Sequence, residues 1–253
     1  MEIIDAYAHC GLSKYEPIEN VREVIAAAGV SRAVLVQHLG EFDNSYIASV
    51  VASDPEHFAS VLLVDHTATN VAGTLAHWVT SGRFQGLRLT ADALLTNPDL
   101  FLLASDLGLA IVLYAPQGIR PILPHLERAL ESAPFTRLVI THLGNPILIG
   151  SKLDEGANAV LDLARFSNAY FQLSGMKMFC APPHEVLYPL IEDAVATFGT
   201  RRILWGSNFP VVGSQEDYWA DLRLLLDGGL PVPREAIDQI AGENAKRLWF
   251  DRN

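Results

Sequence analysis

Residues 86–115, GLRLTADALLTNPDLFLLASDLGLAIVLYA, place a complete helix between two short apolar runs. Asn97 is set to cap that helix, Pro98 suits its first position because the amide it lacks would have no partner there, and Gly108 supplies the stop. GLRLT and AIVLYA are apolar almost throughout, as strands of a parallel sheet are when both faces are covered. The stretch therefore reads strand, helix, strand: one βα unit entering the next.

The same pattern extends in both directions. Apolar runs start at residues 3, 33, 59, 86, 110, 138, 169 and 202, with the sequences EIIDAYAH, AVLVQH, ASVLLVDH, GLRLT, AIVLYA, LVITH, AYFQLSG and RILWGSN. Their spacing is about what one strand, one helix and two loops occupy. Further helices are punctuated by Pro183 before HEVLYPLIEDAVATF and Gly199 after it, and by Ser214 before QEDYWADLRLLL and the Gly228-Gly229 pair. Pro121 and Pro124 are expected to shorten or kink the crossover that contains them, and PREAIDQIAGENAKRLWF reads as an amphipathic closing helix. Eight alternating units with right-handed crossovers predict an α/β fold, a (β/α)8 TIM barrel forming one domain over residues 1–253. The competing doubly wound sheet lacks a GxGxxG after its first strand.

Composition narrows the function. The chain carries a net charge of -11 with no basic cluster, which argues against nucleic acid. It has no apolar run of about eighteen residues and no charged leader, so no membrane partner and a cytoplasmic location are expected. Its two cysteines, Cys10 and Cys180, have no disulfide or zinc-knuckle spacing. A homo-oligomer is compatible with all of this.

Chemistry in such a barrel belongs at the carboxyl ends of the strands. Those ends carry Tyr7, His9, Gln37, His38, Asp65, His66, Arg88, Tyr114, His142, Gln172, Ser174, Ser207 and Asn208. Residues two apart on a regular strand face one side, so Tyr7 and His9 should both enter the mouth, while Cys10 points away and reads as a small buried residue. Asp65 and His66 cannot both face inward and are assigned a loop-structural role. His57, His77, His125 and His184 fall in helices or loops and are given no chemistry. GNPILIGSKL (144–153) and GMKMFCAPP (175–183) are candidate lids, the second carrying Lys177.

IDAYAH, LVITHLGNP, LSG, ILWGSNFP and GENAKRL together resemble family 2 of the amidohydrolase superfamily. Residues 38–65 followed by FQGLRL are similar to the branch containing pyrone-dicarboxylate lactonase and the sugar lactonases. The resemblance implies two departures. The first strand of the family reads Asp-x-His-x-His, whereas here it is Asp5-Ala6-Tyr7-Ala8-His9. The eighth ends Gly-Ser-Asp or Gly-Thr-Asp, whereas here it is Gly206-Ser207-Asn208. A neutral phenol and an amide are poor ligands, so no metal or other cofactor is assigned, and a divalent ion at His9 and His142 would be weakly held. An amide also cannot replace the family's aspartate as base.

The expected function is hydrolysis of a small lactone or related carboxylic ester, independent of metal. His9, His142, Asn208 and Tyr7 are the candidate catalytic residues. One imidazole would take a proton from water while the other, with Asn208 and Tyr7, donates to the oxyanion. Arg88 would grip a substrate carboxylate or carbonyl, and Tyr114, Gln37, Gln172 and Ser174 would complete the substrate site. The alternatives are a decarboxylase-type lyase of the same superfamily and a non-catalytic barrel that binds a small molecule.

Overall fold

A computed structural model describes residues 1–251. Its central sheet contains β1 (Ile4–Ala8), β2 (Arg32–Val36), β3 (Phe58–Leu62), β4 (Gly86–Thr90), β5 (Ala110–Tyr114), β6 (Leu138–Ile140), β9 (Ala169–Ser174) and β10 (Ile203–Gly206), paired in that order and all parallel. The barrel closes between its first and last strands. A parallel bridge joins Ala8 to Phe209, the Asn208 amide donates to Tyr7 O at 2.8 Å, and the His9 amide donates to Phe209 O at 2.8 Å. The chain is thus a (β/α)8 barrel, and every strand begins within one residue of the expected position.

Side chains pointing inward form one core, with Ile4, Val34, Val36, Ala59, Val61, Ala110, Val112, Val139 and Leu204 among its buried members. Each of the valine, leucine and isoleucine side chains contributes roughly 1.5–3 kcal/mol by leaving water. Trp249 closes the amino-terminal end: a Cβ on Gly86 would lie 3.2 Å from its ring, so that glycine is what lets the indole approach. A second core lies between the barrel and its helices, among them α1 (Ile18–Ala27), α2 (Ser45–Ser53), α3 (Val71–Ser81) and α5 (Asp99–Asp106).

Several local expectations need correction. Asn97 does not cap α5, which begins at Asp99; its side chain instead reaches His66 O at 3.4 Å. A short helix, α4 (Ala91–Thr96), precedes it, capped by Thr90 Oγ1, which accepts the Ala93 amide at 3.1 Å. Pro121 and Pro124 neither kink nor interrupt their crossover, because Pro121 sits in the opening turn Arg120–Ile122 and Pro124 in the first turn of α6 (Leu123–Ser132), where a missing amide costs nothing. Pro183 does not open its helix: a turn over Glu185–Leu187 comes first, and α7 runs Tyr188–Phe198.

Ser214 behaves as read, forming a capping box with Asp217 on α8 (Gln215–Leu226). The crossover from β6 to β9 holds no α-helix. The candidate lid there folds into an antiparallel ribbon, β7 (Leu148–Ile149) and β8 (Lys152–Leu153), followed by a 3-10 turn over Ala157–Arg165. The closing segment is helical, with wide π turns at Gln239–Glu243 and Lys246–Phe250.

Candidate active site

Strand β1 is not regular. Its register with β2 shifts between Asp5 and Ala8, so Ile4, Ala6 and Tyr7 all join the interior core. Strict alternation from Ile4 would have turned Tyr7 outward; the bulge resets the phase and brings it in. The buried Asp5 carboxylate fixes this geometry. It accepts the Tyr7 amide at 3.0 Å, the Ser207 amide at 2.9 Å and the Ser207 hydroxyl at 2.6 Å, tying the bulge to the end of β10 across the closing seam.

Around Tyr7 the predicted residues converge. Its ring lies edge-on to His9 at 5.2 Å and to His142 at 4.8 Å, and the Arg88 guanidinium stands 6.0 Å from its centroid. Tyr114 is 6.0 Å from His142 and 5.3 Å from Arg88. Among the described residues, the buried Tyr7 hydroxyl has no hydrogen-bond partner, and neither has Arg88 Nε. Arg88 makes one hydrogen bond, Nη1 to Gln37 O at 2.8 Å, and among the described residues no carboxylate pairs with it.

Both imidazoles are held by their Nδ1 atoms. His9 Nδ1 lies 2.6 Å from Val36 O, and a carbonyl only accepts, so the proton is on Nδ1 and Nε2 is left with a lone pair. For His142 the direction follows from a relay. Gln172 Nε2 donates to Ala6 O at 3.0 Å, which leaves its Oε1 to accept from Ser174 Oγ at 3.4 Å; Ser174 Oγ in turn accepts from His142 Nδ1 at 2.9 Å and from the His142 amide at 3.1 Å. Gln172 and Ser174 thus orient His142. Gln37 likewise spends its side chain locally, donating to Asp43 O at 2.9 Å and accepting the His38 amide at 3.0 Å, and only its carbonyl touches Arg88.

The turns presenting these groups are strained. His142, Leu143 and Asn145 have φ near 52, 57 and 54°, and Asn208 has φ 59°, all in the region L-residues avoid. Asn208 donates Nδ2 to Met178 Sδ at 3.0 Å, linking the second candidate lid to the site. Gly175 underlies both, with φ +60°, where an added Cβ would come within 2.9 Å of His142 Nδ1 and 3.0 Å of Asn208 Nδ2. Gly175→Ala is expected to destabilise the fold by roughly 1–3 kcal/mol and to displace His142. Thermal melting with steady-state kinetics checks this; wild-type values in both would show that the turn tolerates a side chain.

Two contributors were not anticipated. Tyr15, from the loop after β1, stacks on His9 at 4.9 Å with the planes 19° apart, and also meets His38 at 5.1 Å. Asp5 was read only as part of a motif. Elsewhere, Asp65 accepts the Thr67 amide and hydroxyl, and His66 pairs with Asp92 at 2.9 Å, so both organise loops. Cys10 is buried in the outer core, where burial pushes its thiol up to about 12 and leaves it inert. His184, which sequence left without a role, is buried against Asp221 at 3.1 Å.

Burial, and then the nearby Arg88 charge, pushes His142 down to about 3 and holds His9 well below the ordinary histidine range. Burial raises Asp5 to about 6 against the hydrogen bonds from Ser207. These shifts fix a pH dependence. Between about pH 5 and 6 the unfolded chain protonates both imidazoles while the fold protonates neither, and the fold keeps an Asp5 proton that the unfolded chain has released. The unfolded state therefore binds about one proton more, and stability falls by roughly 1.4 kcal/mol for each unit of acidification. Urea midpoints at pH 7, 6 and 5 measure it; a midpoint that holds or rises on acidification would contradict neutral buried imidazoles.

The donor set does not fit a resident divalent ion. Two imidazole Nε2 atoms are offered, but Tyr7 is a phenol whose ionisation burial opposes, Asn208 is an amide, and no third His, Cys, Asp or Glu joins them among the described residues.

Comparison with known proteins agrees with this architecture. A family model described as Amidohydrolase matches residues 6–250. The chain is 28% identical over 251 residues to the L-fucono-1,5-lactonase of Burkholderia ambifaria, covering 93% of this chain and 82% of that protein. Its fold is similar to that of a Pseudomonas putida protein described as a 2-pyrone-4,6-dicarboxylic acid hydrolase, with a TM-score of 0.79, 21% identity and coverage of 100% and 99%. An Acinetobacter baumannii protein of the same description, crystallised with citric acid, superposes with a TM-score of 0.78 at 18% identity, covering 98% and 99%. With the barrel, the imidazoles at its carboxyl end and a family match over nearly the whole length, the chain is an enzyme of the amidohydrolase family.

Proposed function

We propose that the protein hydrolyses a small lactone bearing a carboxylate or a comparably anionic group, without a resident metal. The observation that carries this reading is Arg88, a buried guanidinium with a free Nε–H and no acidic partner among the described residues. An uncompensated buried charge is costly, and an anionic substrate would supply its counter-ion as a fork of hydrogen bonds. The lactonase name of the Burkholderia relative supports the lactone, and the citric acid bound to the Acinetobacter protein supports the anionic group.

His142 is the general base. Water between the two imidazoles donates its hydrogens to the Nε2 atoms of His9 and His142, which leaves an oxygen lone pair for the lactone carbonyl carbon. As the carbon–oxygen bond forms, His142 Nε2 takes one proton and the carbonyl oxygen becomes an oxyanion, stabilised by the Tyr7 hydroxyl and the Arg88 guanidinium. Collapse breaks the ring ester bond, the alkoxide takes the proton back from His142, and a hydroxy acid results. Ser174 and Gln172 steady the imidazolium, and Tyr114 walls the site. Arg88 is a main cause of the depressed His142, so a carboxylate arriving beside it raises the basicity of His142 when substrate is bound.

The test is a panel of small lactones with and without carboxyl substituents, assayed with and without a chelator. Hydrolysis of carboxylated members that survives chelation is expected. Turnover abolished by chelator and restored by a divalent ion would overturn the metal-independent mechanism, and inertness toward every lactone would overturn the reaction.

A further inference from the structure

A cavity of about 330 Å³, with Tyr114 in its wall, opens beside the ends of β4 and β5. That volume is at the lower end of small-ligand sites. Its walls include Leu39, Leu95, Pro116, Pro121 and Ile122. A neighbouring cavity of about 160 Å³, which reaches Arg88, shares Leu39 and Thr90 with it. Tyr114 lines the larger cavity and stands 5.3 Å from the Arg88 guanidinium, so a molecule anchored at Arg88 and flanked by Tyr114 lies beside this space.

Two of the polar side chains in its wall are already committed. Thr90 Oγ1 caps α4 through the Ala93 amide at 3.1 Å, and Asp92 Oδ2 is held by His66 Nε2 at 2.9 Å. Gln117 and Tyr114 apart, the rest of the wall is mainly hydrocarbon. A sugar ring would bury hydroxyls there with few partners, whereas an alkyl chain or plain ring would lose nothing on leaving water. The loops around the mouth share this character, since Leu12, Phe42, Leu95, Ile147, Ile149 and Met178, each on a segment following a barrel strand, are exposed large apolar side chains.

We infer that the cavity between Tyr114 and Leu95 is a subsite for an apolar alkyl or aryl substituent on the lactone, which sets the substrate class apart from polyhydroxylated sugar lactones. The assignment rests on the lactone-hydrolase reading, so its test has an arm that does not depend on turnover. In the first arm, kcat/KM is measured for δ-lactones that all carry a ring carboxylate, from the parent without an alkyl substituent to alkyl chains of several carbons, beside a sugar lactone that also carries a carboxylate. In the second, calorimetry measures the binding of straight-chain carboxylates from acetate to octanoate.

Each added methylene is expected to raise kcat/KM, and to tighten binding, about threefold to fourfold until the cavity is filled. Leu95→Asp, at a position 45% exposed and outside the catalytic cluster, should flatten both series while leaving turnover of the parent lactone within about twofold. A flat series in wild type, a preference for the sugar lactone, or a chain-length trend that persists in Leu95→Asp would each overturn the subsite. Lactones hydrolysed with a flat series would remove the subsite and keep the reaction. Carboxylates that bind with a chain-length trend while no lactone is hydrolysed would keep the subsite and remove the reaction. Absence of both binding and hydrolysis would overturn both.

Discussion

Arg88→Met is expected to lower kcat/KM at least a hundredfold while leaving the fold as stable as wild type or more so. The two halves come from one observation. In the free protein the guanidinium is buried, donates to Gln37 O, and has no acid to balance it among the described residues. Such a charge costs stability, and replacing it with a flexible apolar side chain of similar length removes the cost. With substrate present the balance reverses, since the same charge binds the anion and holds the developing oxyanion, and losing one donor of that kind typically costs about a hundredfold to a thousandfold.

Arg88→Lys separates charge from geometry. A point charge remains but the fork is lost, and an intermediate activity is expected. Removing the guanidinium should also raise His142, because Arg88 is the second cause of its depression after burial. Kinetics with chemical denaturation are the measurement. A variant that keeps full activity, or one whose loss of activity simply tracks a loss of stability, would show that Arg88 is a structural residue.

How much of this was legible before the fold was known depends on the range of the interactions involved. The strands were readable because each parallel strand is covered on both faces and must be apolar over its own length, a property of five or six adjacent residues. Tyr7, His9, Arg88, Tyr114 and His142 were readable as strand-end residues for the same reason, and the structure gathers them around one phenol ring. Contacts between distant segments were not. Gln37 and Gln172 looked like mouth residues, but whether an amide faces a substrate or a carbonyl depends on Asp43 and Ala6, which no local pattern relates to them. Tyr15 sits in a loop without periodicity, and nothing in the sequence aligns its ring with His9. The readings of Pro121 and Pro124 failed because proline is a helix breaker inside a helix and a helix starter at its beginning, and only the position of the first turn separates the two.

Asp5→Ala should be the most damaging single substitution to stability, at roughly 3–5 kcal/mol or about 6–20 °C in melting temperature. Three donors converge on this carboxylate, and alanine would strand all of them in a site that water does not reach: the Tyr7 amide in the bulge, and the Ser207 amide and hydroxyl on the facing strand. Each orphaned donor costs about 1–3 kcal/mol. Asp5→Asn is the informative companion. Its oxygen still accepts the two amides, its NH2 can donate to the Ser207 hydroxyl oxygen, and it escapes the burial of charge that raises Asp5 to about 6. Its stability near pH 7 is therefore expected within about 1 kcal/mol of wild type. It should also steepen the loss of stability on acidification, because the proton that Asp5 holds in the fold between pH 3.8 and 6 no longer offsets those the imidazoles refuse. A wild-type pH profile in Asp5→Asn, or an Asp5→Ala variant that melts with wild type, would mean that the seam is held by the strand ladder alone. The bulge that turns Tyr7 inward would then owe nothing to the carboxylate two residues before it.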